Sequence, residues 1–208
     1  MVGLGAGGHA KVVIEILRYH QDYLPVGLLD ANANLHGKSV LGVLVLGADD
    51  LLAELKSQGV EHFFMGIGGI RTQKPRKELF ELALRQGFSP ITLIHPTACV
   101  SDFAKIELGV TIMANVIVNP GVELGQNVIL NSGAIVEHDC RIGDHAHIAS
   151  GAVLAGGVVV GSMTLIGAGA VVRQDLCIGA RSLVGTGAVV VKDVPDDNIV
   201  IGNPARAI

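Results

Sequence analysis

Tryptophan is absent from this 208-residue chain, and only two tyrosines and five phenylalanines are present. A wide sandwich or helical core usually leans on aromatic volume, because each ring buries a large area at once. A narrow solenoid has room for little beyond Val, Ile, Leu and Ala. Cysteine is also scarce: Cys99, Cys140 and Cys177 are widely spaced, odd in number and form no CxxC pair. That pattern predicts free thiols in a reducing compartment rather than a disulfide framework. No excess of basic charge exists; the formal net charge is −4 and the pI about 6.0. Nucleic-acid partners are excluded on that ground, since they require a basic face that displaces counterions. No basic stretch precedes an apolar one as in a signal peptide, and no run of about 18 apolar residues occurs, so no membrane span is predicted. The expected location is the cytoplasm.

What the chain does have is glycine, 28 residues of it, and a composition that is 50% hydrophobic. The aliphatic residues recur every six positions: Ile94, Val100, Ile106, Ile112, Val118, Leu124, Leu130, Val136, Ile142, Ile148, Leu154, Val160, Ile166, Val172, Ile178, Val184 and Val190. All 17 positions are Ile, Leu or Val. If a third of residues were aliphatic at random, such a run would arise on the order of once in a hundred million trials. Four residues after each, a second register is small or β-branched, from Ala98 to Val194, broken once at Leu176. A helix of 3.6 residues per turn would smear a period of six around its surface. Flat walls that turn a corner every six residues, three walls to a coil, keep it on one side. Residues 18 apart then stack, and each coil covers the apolar edge of the next. Gly125, Gly143, Gly161, Gly167, Gly179 and Gly185 directly follow the aliphatic position, where a corner would need a small residue or positive φ. The prediction is a left-handed parallel β-helix of hexapeptide repeats over residues 91–208.

Residues 1–90 lack that period. A glycine-rich turn, Gly3 to His9, leads into a helical pattern over Ala10–Tyr19, and Pro25–Asp30 reads as a strand ending in an acid. Helices at Asp49–Ser57 and Thr72–Arg85 alternate with strands at His62–Ile67 and Phe88–Leu93. This alternation predicts a small parallel α/β domain, half of a Rossmann-like fold. Its glycine turn exposes backbone N–H groups at a helix N-terminus, where a phosphate is attracted. With Asp30 about twenty residues on, nucleotide or nucleotide-sugar binding is the expected role. Only Met1–Leu4 precede the turn, so the first strand must be very short; the sequence leaves open whether the native chain begins upstream.

Polar chemistry gathers in the solenoid at Asn131, Glu137, His138, Asp139, His145 and His147. A regular wall gains nothing from two acids flanking an imidazole. For acyl transfer to an amine, a neutral histidine is suited to take the proton as the nucleophile attacks. A carboxylate on its other nitrogen would fix the tautomer and raise its basicity. Glu137 and Asp139 are both candidates, and a direct Asp139 contact requires a corner, because strand neighbours point to opposite sides. His145 and His147, two apart, would share a face of a strand and with His138 suggest zinc. The γ-class carbonic anhydrases carry such a site on this fold, in a pattern that pairs histidines five apart. Separations of seven and nine do not match it, and no metal is expected.

The Gly7-Gly8-His9 turn, the hexapeptide solenoid with Asn131, Glu137-His138-Asp139 and His147, and the ending Gly202-Asn203-Pro204-Ala205-Arg206 together resemble a family. It is the sugar O/N-acyltransferases of the sialic-acid O-acetyltransferase type, and most of all its bacterial N-acetyltransferases of nucleotide-linked 4-amino-sugars. The resemblance implies a homotrimer with sites between neighbouring solenoids and acetyl-CoA as acyl donor. It implies His138 as general base, Asp139 as the acid that raises its basicity, and Asn131 beside it in the amine pocket. His147, Gly156, Ala168 and Thr186 would contact acetyl-CoA; Gly7, Gly8, His9, Asp30 and Gly68 would hold the nucleotide sugar. Asp139 stands where relatives often carry the longer Glu, and Ala31 where some carry a second acid. The alternatives are O-acetylation of a sialic acid or similar sugar, a γ-carbonic-anhydrase-like zinc enzyme, and a non-catalytic trimeric scaffold.

Overall fold

A computed structural model describes residues 1–20, 22–69 and 72–208, and they fall into two compact units. One unit comprises Met1–Gly68 and Pro75–Leu93; the other comprises Gly69–Lys74 and Ile94–Ile208. The boundary expected between 90 and 91 falls three residues later. The cause is local: Ile91 still donates its N–H to the Phe63 carbonyl at 3.0 Å and is buried.

The α/β unit is a six-stranded sheet. Its elements are β1 (Val2–Leu4), α1 (Gly8–Leu17), β2 (Gly27–Leu29), β3 (Ser39–Val40), β4 (Val43–Gly47), α2 (Leu52–Ser57), β5 (His62–Met65), α3 (Lys74–Arg85) and β6 (Ser89–Pro90). The strand order is β3-β4-β2-β1-β5-β6, parallel throughout except for the β3–β4 hairpin. Very short β1 lies at the centre, and Val2, Leu4, Leu29, Phe63 and Met65 face a cluster with Leu52, Leu55, Leu79, Phe80, Ala83 and Phe88. Phe63 meets Phe80 edge-on, with centroids 5.3 Å apart. The sequence reading missed β3 and β4. Their residues 39–47 alternate poorly, and the pair is an edge hairpin whose Leu44 stays exposed.

The second unit is a left-handed parallel β-helix. Each wall contributes a two-residue strand per coil, and partners are 18 residues apart: Ile112 with Leu130, Val118 with Val136, Leu124 with Ile142, and so on upward. From Ile112 on, the aliphatic column points inward and is almost fully buried, as is the small-residue column from Val110. Cys140 belongs to that inner column, with its thiol donating to the Ala155 carbonyl at 3.2 Å.

The corners differ from the expectation. Positive φ falls three residues after each aliphatic, at positions 109 through 187 in steps of six. Seven of these are Gly; the other seven are Asn115, Asn127, Asp139, His145, Met163, Asp175 and Arg181. Gly125, Gly143, Gly161, Gly167, Gly179 and Gly185 do not adopt positive φ. They are small for another reason: the next coil runs directly over them. A Cβ on Gly143 would lie 2.7 Å from the Ser162 nitrogen, and one on Gly167 would lie 2.6 Å from the Thr186 nitrogen. Past Val190 the last coil is two residues short, so Ile178 faces Val194 and Leu183 faces Ile199. Val194 therefore takes the aliphatic place rather than the small one. Ile199–Ile201 pairs antiparallel with Arg206–Ala207, which ends the parallel ladder.

Candidate active site

His138 and Asp139 sit at the corner that follows the Ile135–Val136 strand. Asp139 has φ +61°, and that left-handed turn swings two sequence neighbours onto the same side. His138 Nδ1 lies 2.9 Å from Asp139 Oδ2. The side chains are 65% and 74% exposed, so a substrate can reach the imidazole. The Asp139 hydrogen bond holds the His138 pKa above its ordinary value; slight desolvation opposes it, and the charges of Asp139, Glu137 and Asp175 add to it. Glu137, the other candidate acid, is engaged elsewhere: Asn119 Nδ2 donates to its Oε2 at 2.7 Å.

Directly over the imidazole lies Gly156, 18 residues on, where a Cβ would stand 2.6 Å from His138 Nε2. The Gly156 N–H meets no backbone carbonyl among the described residues. Nδ1 is thus occupied by the carboxylate, while Nε2 lies against Gly156, whose N–H gives no backbone hydrogen bond among the described residues. That arrangement can take a proton at Nε2 and stabilise a developing oxyanion.

Asn119, Gly121 and Asp175 were missed in the sequence. Each lies on the stacked corner column: Asn119 is 18 residues before Glu137, and Gly121 is 18 before Asp139, whose Oδ1 would be 2.5 Å from a Cβ there. Asp175 is the Asp139 position two coils on. Stacking by 18 was the signal that could have found all three.

Asn131 and His147 form a second cluster. His147 is buried; its Nδ1 lies 3.1 Å from the Gly69 carbonyl and its Nε2 3.4 Å from Asn131 Nδ2. Asn131 Oδ1 accepts from the Ser132 N–H at 2.7 Å, so its amide is oriented toward His147. Within one chain Asn131 therefore meets His147, not His138. Ala168 and Thr186, 18 apart, stack on the corner after the 165–166 and 183–184 strands, whereas His138 and Gly156 stack on the corner after the 135–136 and 153–154 strands. Of the expected acetyl-CoA contacts, Gly156, Ala168 and Thr186 thus occupy two corner columns of the solenoid, whereas His147 lies on the His147–Ile148 strand. His145 does not share a face with His147: it is itself a corner, at φ +59°, buried with Nδ1 3.0 Å from Asn127 Nδ2. The three histidines are not gathered, and no group of three metal-binding side chains converges among the described residues.

In the α/β unit, the glycine turn connects the end of β1 to α1. Gly5 holds φ +103°, and a Cβ on it would strike the Gly66 backbone. Gly7, the residue before α1, and Gly8 are exposed, and a Cβ on either would meet nothing within 4 Å. Their bareness opens the helix N-terminus to a ligand. Asp30, at the end of β2, accepts the Ala6 N–H at 2.8 Å and the Asn32 N–H at 2.9 Å, which ties the turn to the strand. Gly68 packs on the His9 ring, 3.4 Å from Nδ1 to a Cβ built there. All five expected residues thus come together past the carboxyl ends of the central strands, the usual ligand side of such sheets. Asp49 lies near Asp30, and its pKa is raised by burial and then by the charges of Asp30 and Asp50.

No helix of the described residues is long and apolar enough to cross a membrane. Residues 2–82 match the PglD N-terminal domain, and residues 121–156 match the bacterial transferase hexapeptide (six repeats). GDP-perosamine N-acetyltransferase of Escherichia coli O157:H7 is 36% identical over 143 residues, which is 66% of this chain and 61% of that protein. Among solved structures, a histidine-to-asparagine mutant of perosamine N-acetyltransferase from Caulobacter crescentus, in complex with CoA and GDP-perosamine, is 41% identical. The match covers 100% of this chain and 95% of that one, with a TM-score of 0.94. The acetyltransferase domain of PglB from Neisseria gonorrhoeae FA1090, in complex with acetyl coenzyme A, is 37% identical over 100% and 98%, with a TM-score of 0.91.

Proposed function

The chain belongs to the nucleotide-linked amino-sugar N-acetyltransferases, and we propose that it transfers acetyl from acetyl-CoA to the 4-amino group of a nucleotide-linked deoxy-sugar. GDP-perosamine, on which the similar enzymes are named, is the first acceptor to test. The observation that carries the reading is the His138–Asp139 pair beneath Gly156.

In this reading the amine attacks the thioester carbonyl while His138 Nε2 takes its proton. Asp139 keeps the other proton on Nδ1 and stabilises the imidazolium. The Gly156 N–H receives the carbonyl oxygen as it gains charge. Collapse of the tetrahedral intermediate breaks the C–S bond, and the imidazolium returns its proton to the departing sulfur. Among the described residues no activated serine or cysteine stands beside the base, since Cys140 is turned into the inner column with its thiol pKa raised by burial, so transfer is direct. The glycine turn, His9, Asp30 and Gly68 hold the nucleotide.

The active assembly is a homotrimer, with each site between neighbouring solenoids. Two features support this. Ile117 and Val171 project outward at 36% and 40% exposure in a column with half-buried Ile135, Val153 and Val189, an apolar stripe of the kind that marks an interface. The expected cofactor contacts Gly156 on one side and Ala168 and Thr186 on the other also lie on different corner columns of a single chain, so neighbouring copies would complete one site.

The deciding experiment is CoA release from acetyl-CoA with UDP-, GDP- and dTDP-linked 4-amino-sugars, for wild type and His138→Ala. Turnover on one acceptor, reduced by about a hundredfold or more in the variant, is expected. Turnover only on a hydroxyl acceptor would move the reading to O-acetylation. A protein that binds no acetyl-CoA would be a scaffold.

A further inference from the structure

The corner that carries the base repeats one arrangement up the solenoid. Asp139, Gly157 and Asp175 take the same left-handed turn, at φ +61°, +69° and +58°. Acid and glycine alternate there, with each carboxylate folded back onto the coil beneath it. Asp139 Oδ1 would lie 2.5 Å from a Cβ on Gly121, and Asp175 Oδ1 would lie 2.5 Å from a Cβ on Gly157. The Asp175 carboxylate therefore leaves its own coil and rests on that of Gly156 and Gly157, the coil that His138 Nε2 faces. Backbone bonds fix the stack: Asp175 gives its N–H to the Gly156 carbonyl at 3.0 Å, and Gly157 gives its N–H to the His138 carbonyl at 2.9 Å.

Asp175 differs from the other two aspartates that hold positive φ. Asp197 pairs with Arg181 at 2.6 Å, and Asp139 with His138 at 2.9 Å. The exposed Asp175 carboxylate has no hydrogen bond or ion pair among the described residues. A left-handed corner does not ask for a charge, since Asn115 and Asn127 serve it as well. The imidazole thus sits among three carboxylates, Glu137 and Asp139 from its own corner and Asp175 from two coils on. Arg173 and Lys192, the cations on the coils above, pair with none of the three among the described residues. Like charges so placed repel one another, and a cation that enters beside Nε2 relieves that repulsion.

The acceptor supplies such a cation, because a primary amine is largely protonated near neutral pH and must come to Nε2 to react. We propose that Asp175 is a specificity-determining residue that, with Glu137 and Asp139, draws the acceptor's amino group to His138 as an ammonium ion. The inference rests on the acetyl-transfer reading above. The bound ammonium loses one proton to water. Its nitrogen then attacks the thioester with the freed lone pair, and its second proton passes to His138 Nε2. A hydroxyl acceptor carries no charge at this point and gains nothing from Asp175.

The test uses the full chain and the nucleotide-linked 4-amino-sugar that turns over in the CoA-release panel. Calorimetry, with CoA present so that no transfer occurs, measures its binding and that of its 4-hydroxy counterpart. Wild type should bind the amine about tenfold tighter, and added salt should erode that preference. Asp175→Asn keeps the corner and should lower amine affinity about fivefold while the hydroxyl ligand binds as before. An unchanged preference, or an equal loss for both ligands, overturns the proposal. If Asp175→Asn fails to fold, the pH dependence of wild type decides. Amine affinity should peak between the titration of His138, whose imidazolium repels the ammonium, and that of the amine itself. Affinity that holds steady above the amine's own pKa overturns the proposal. A panel in which no amine turns over sinks the acetyl-transfer reading and this role with it, whereas an acceptor found but indifferent to Asp175 sinks this role alone.

Discussion

A Cβ built on Gly156 would stand 2.6 Å from Nε2 of His138, so only a residue without a side chain leaves the imidazole its place one coil away. Gly156 has no positive φ, and its backbone would accept alanine. Its constraint is the imidazole beneath it. Gly156→Ala should therefore leave the fold intact and push His138 away from its place beside the Gly156 N–H. The expected result is a native melting profile with kcat lowered by about 10²-fold, since misplacing a catalytic group by about 1 Å carries that cost. A kcat close to wild type would show that the base lies elsewhere.

Asp139 governs the pH profile. Its hydrogen bond holds the His138 pKa above the ordinary imidazole value, and catalysis requires the neutral ring. Activity should thus be low in acid and rise with pH through that raised pKa. Asp139→Asn keeps a residue that tolerates the left-handed corner but removes the charge. The acid limb of kcat/KM should then move to lower pH, while kcat falls about tenfold or more because the imidazolium loses its partner. Both changes are read from one pH–rate series.

The two kinds of corner make opposite predictions about stability. Gly161 lies under the next coil, and a Cβ there would be 2.7 Å from Ala180 Cα and from the Gly179 carbonyl carbon. Gly161→Ala should cost about 2–4 kcal/mol, as overpacking against backbone does. Met163, two residues on, holds φ +61°. Met163→Gly should stabilise the coil by about 1 kcal/mol through relief of left-handed strain. Chemical denaturation of the two variants separates a steric glycine from a conformational one.

Asp30 is expected to affect one substrate only. Its carboxylate carries the Ala6 and Asn32 N–H groups and so shapes the glycine turn. Asp30→Ala leaves both donors unpaired and should raise KM for the nucleotide sugar by about tenfold. KM for acetyl-CoA should stay within twofold, which steady-state kinetics with each substrate varied will check.

Cys140 should be inert. Burial pushes its thiol up to about 11 and its donor bond to Ala155 holds it inward. In a Cys99→Ser/Cys177→Ser variant, no thiol should label at pH 8 until the protein is unfolded. Labelling of the native protein would place this residue outside the inner column.

The sequence alone determined the solenoid, because a parallel β-helix repeats one physical demand every six residues and 17 aliphatic positions record it without a gap. It also determined the α/β alternation, the glycine turn and the pairing of an imidazole with a nearby acid. The edge hairpin β3–β4 stayed hidden, since a half-exposed pair at a sheet edge needs no alternation. Chain order alone could not choose between Glu137 and Asp139, or tell that His145 turns away from His147. Those outcomes depend on which residue takes the left-handed corner, and seven of the fourteen corners are not glycine. Stacking then decided the rest. Gly156 meets His138 and Asn119 holds Glu137, because coils 18 residues apart lie only one strand spacing from each other in space.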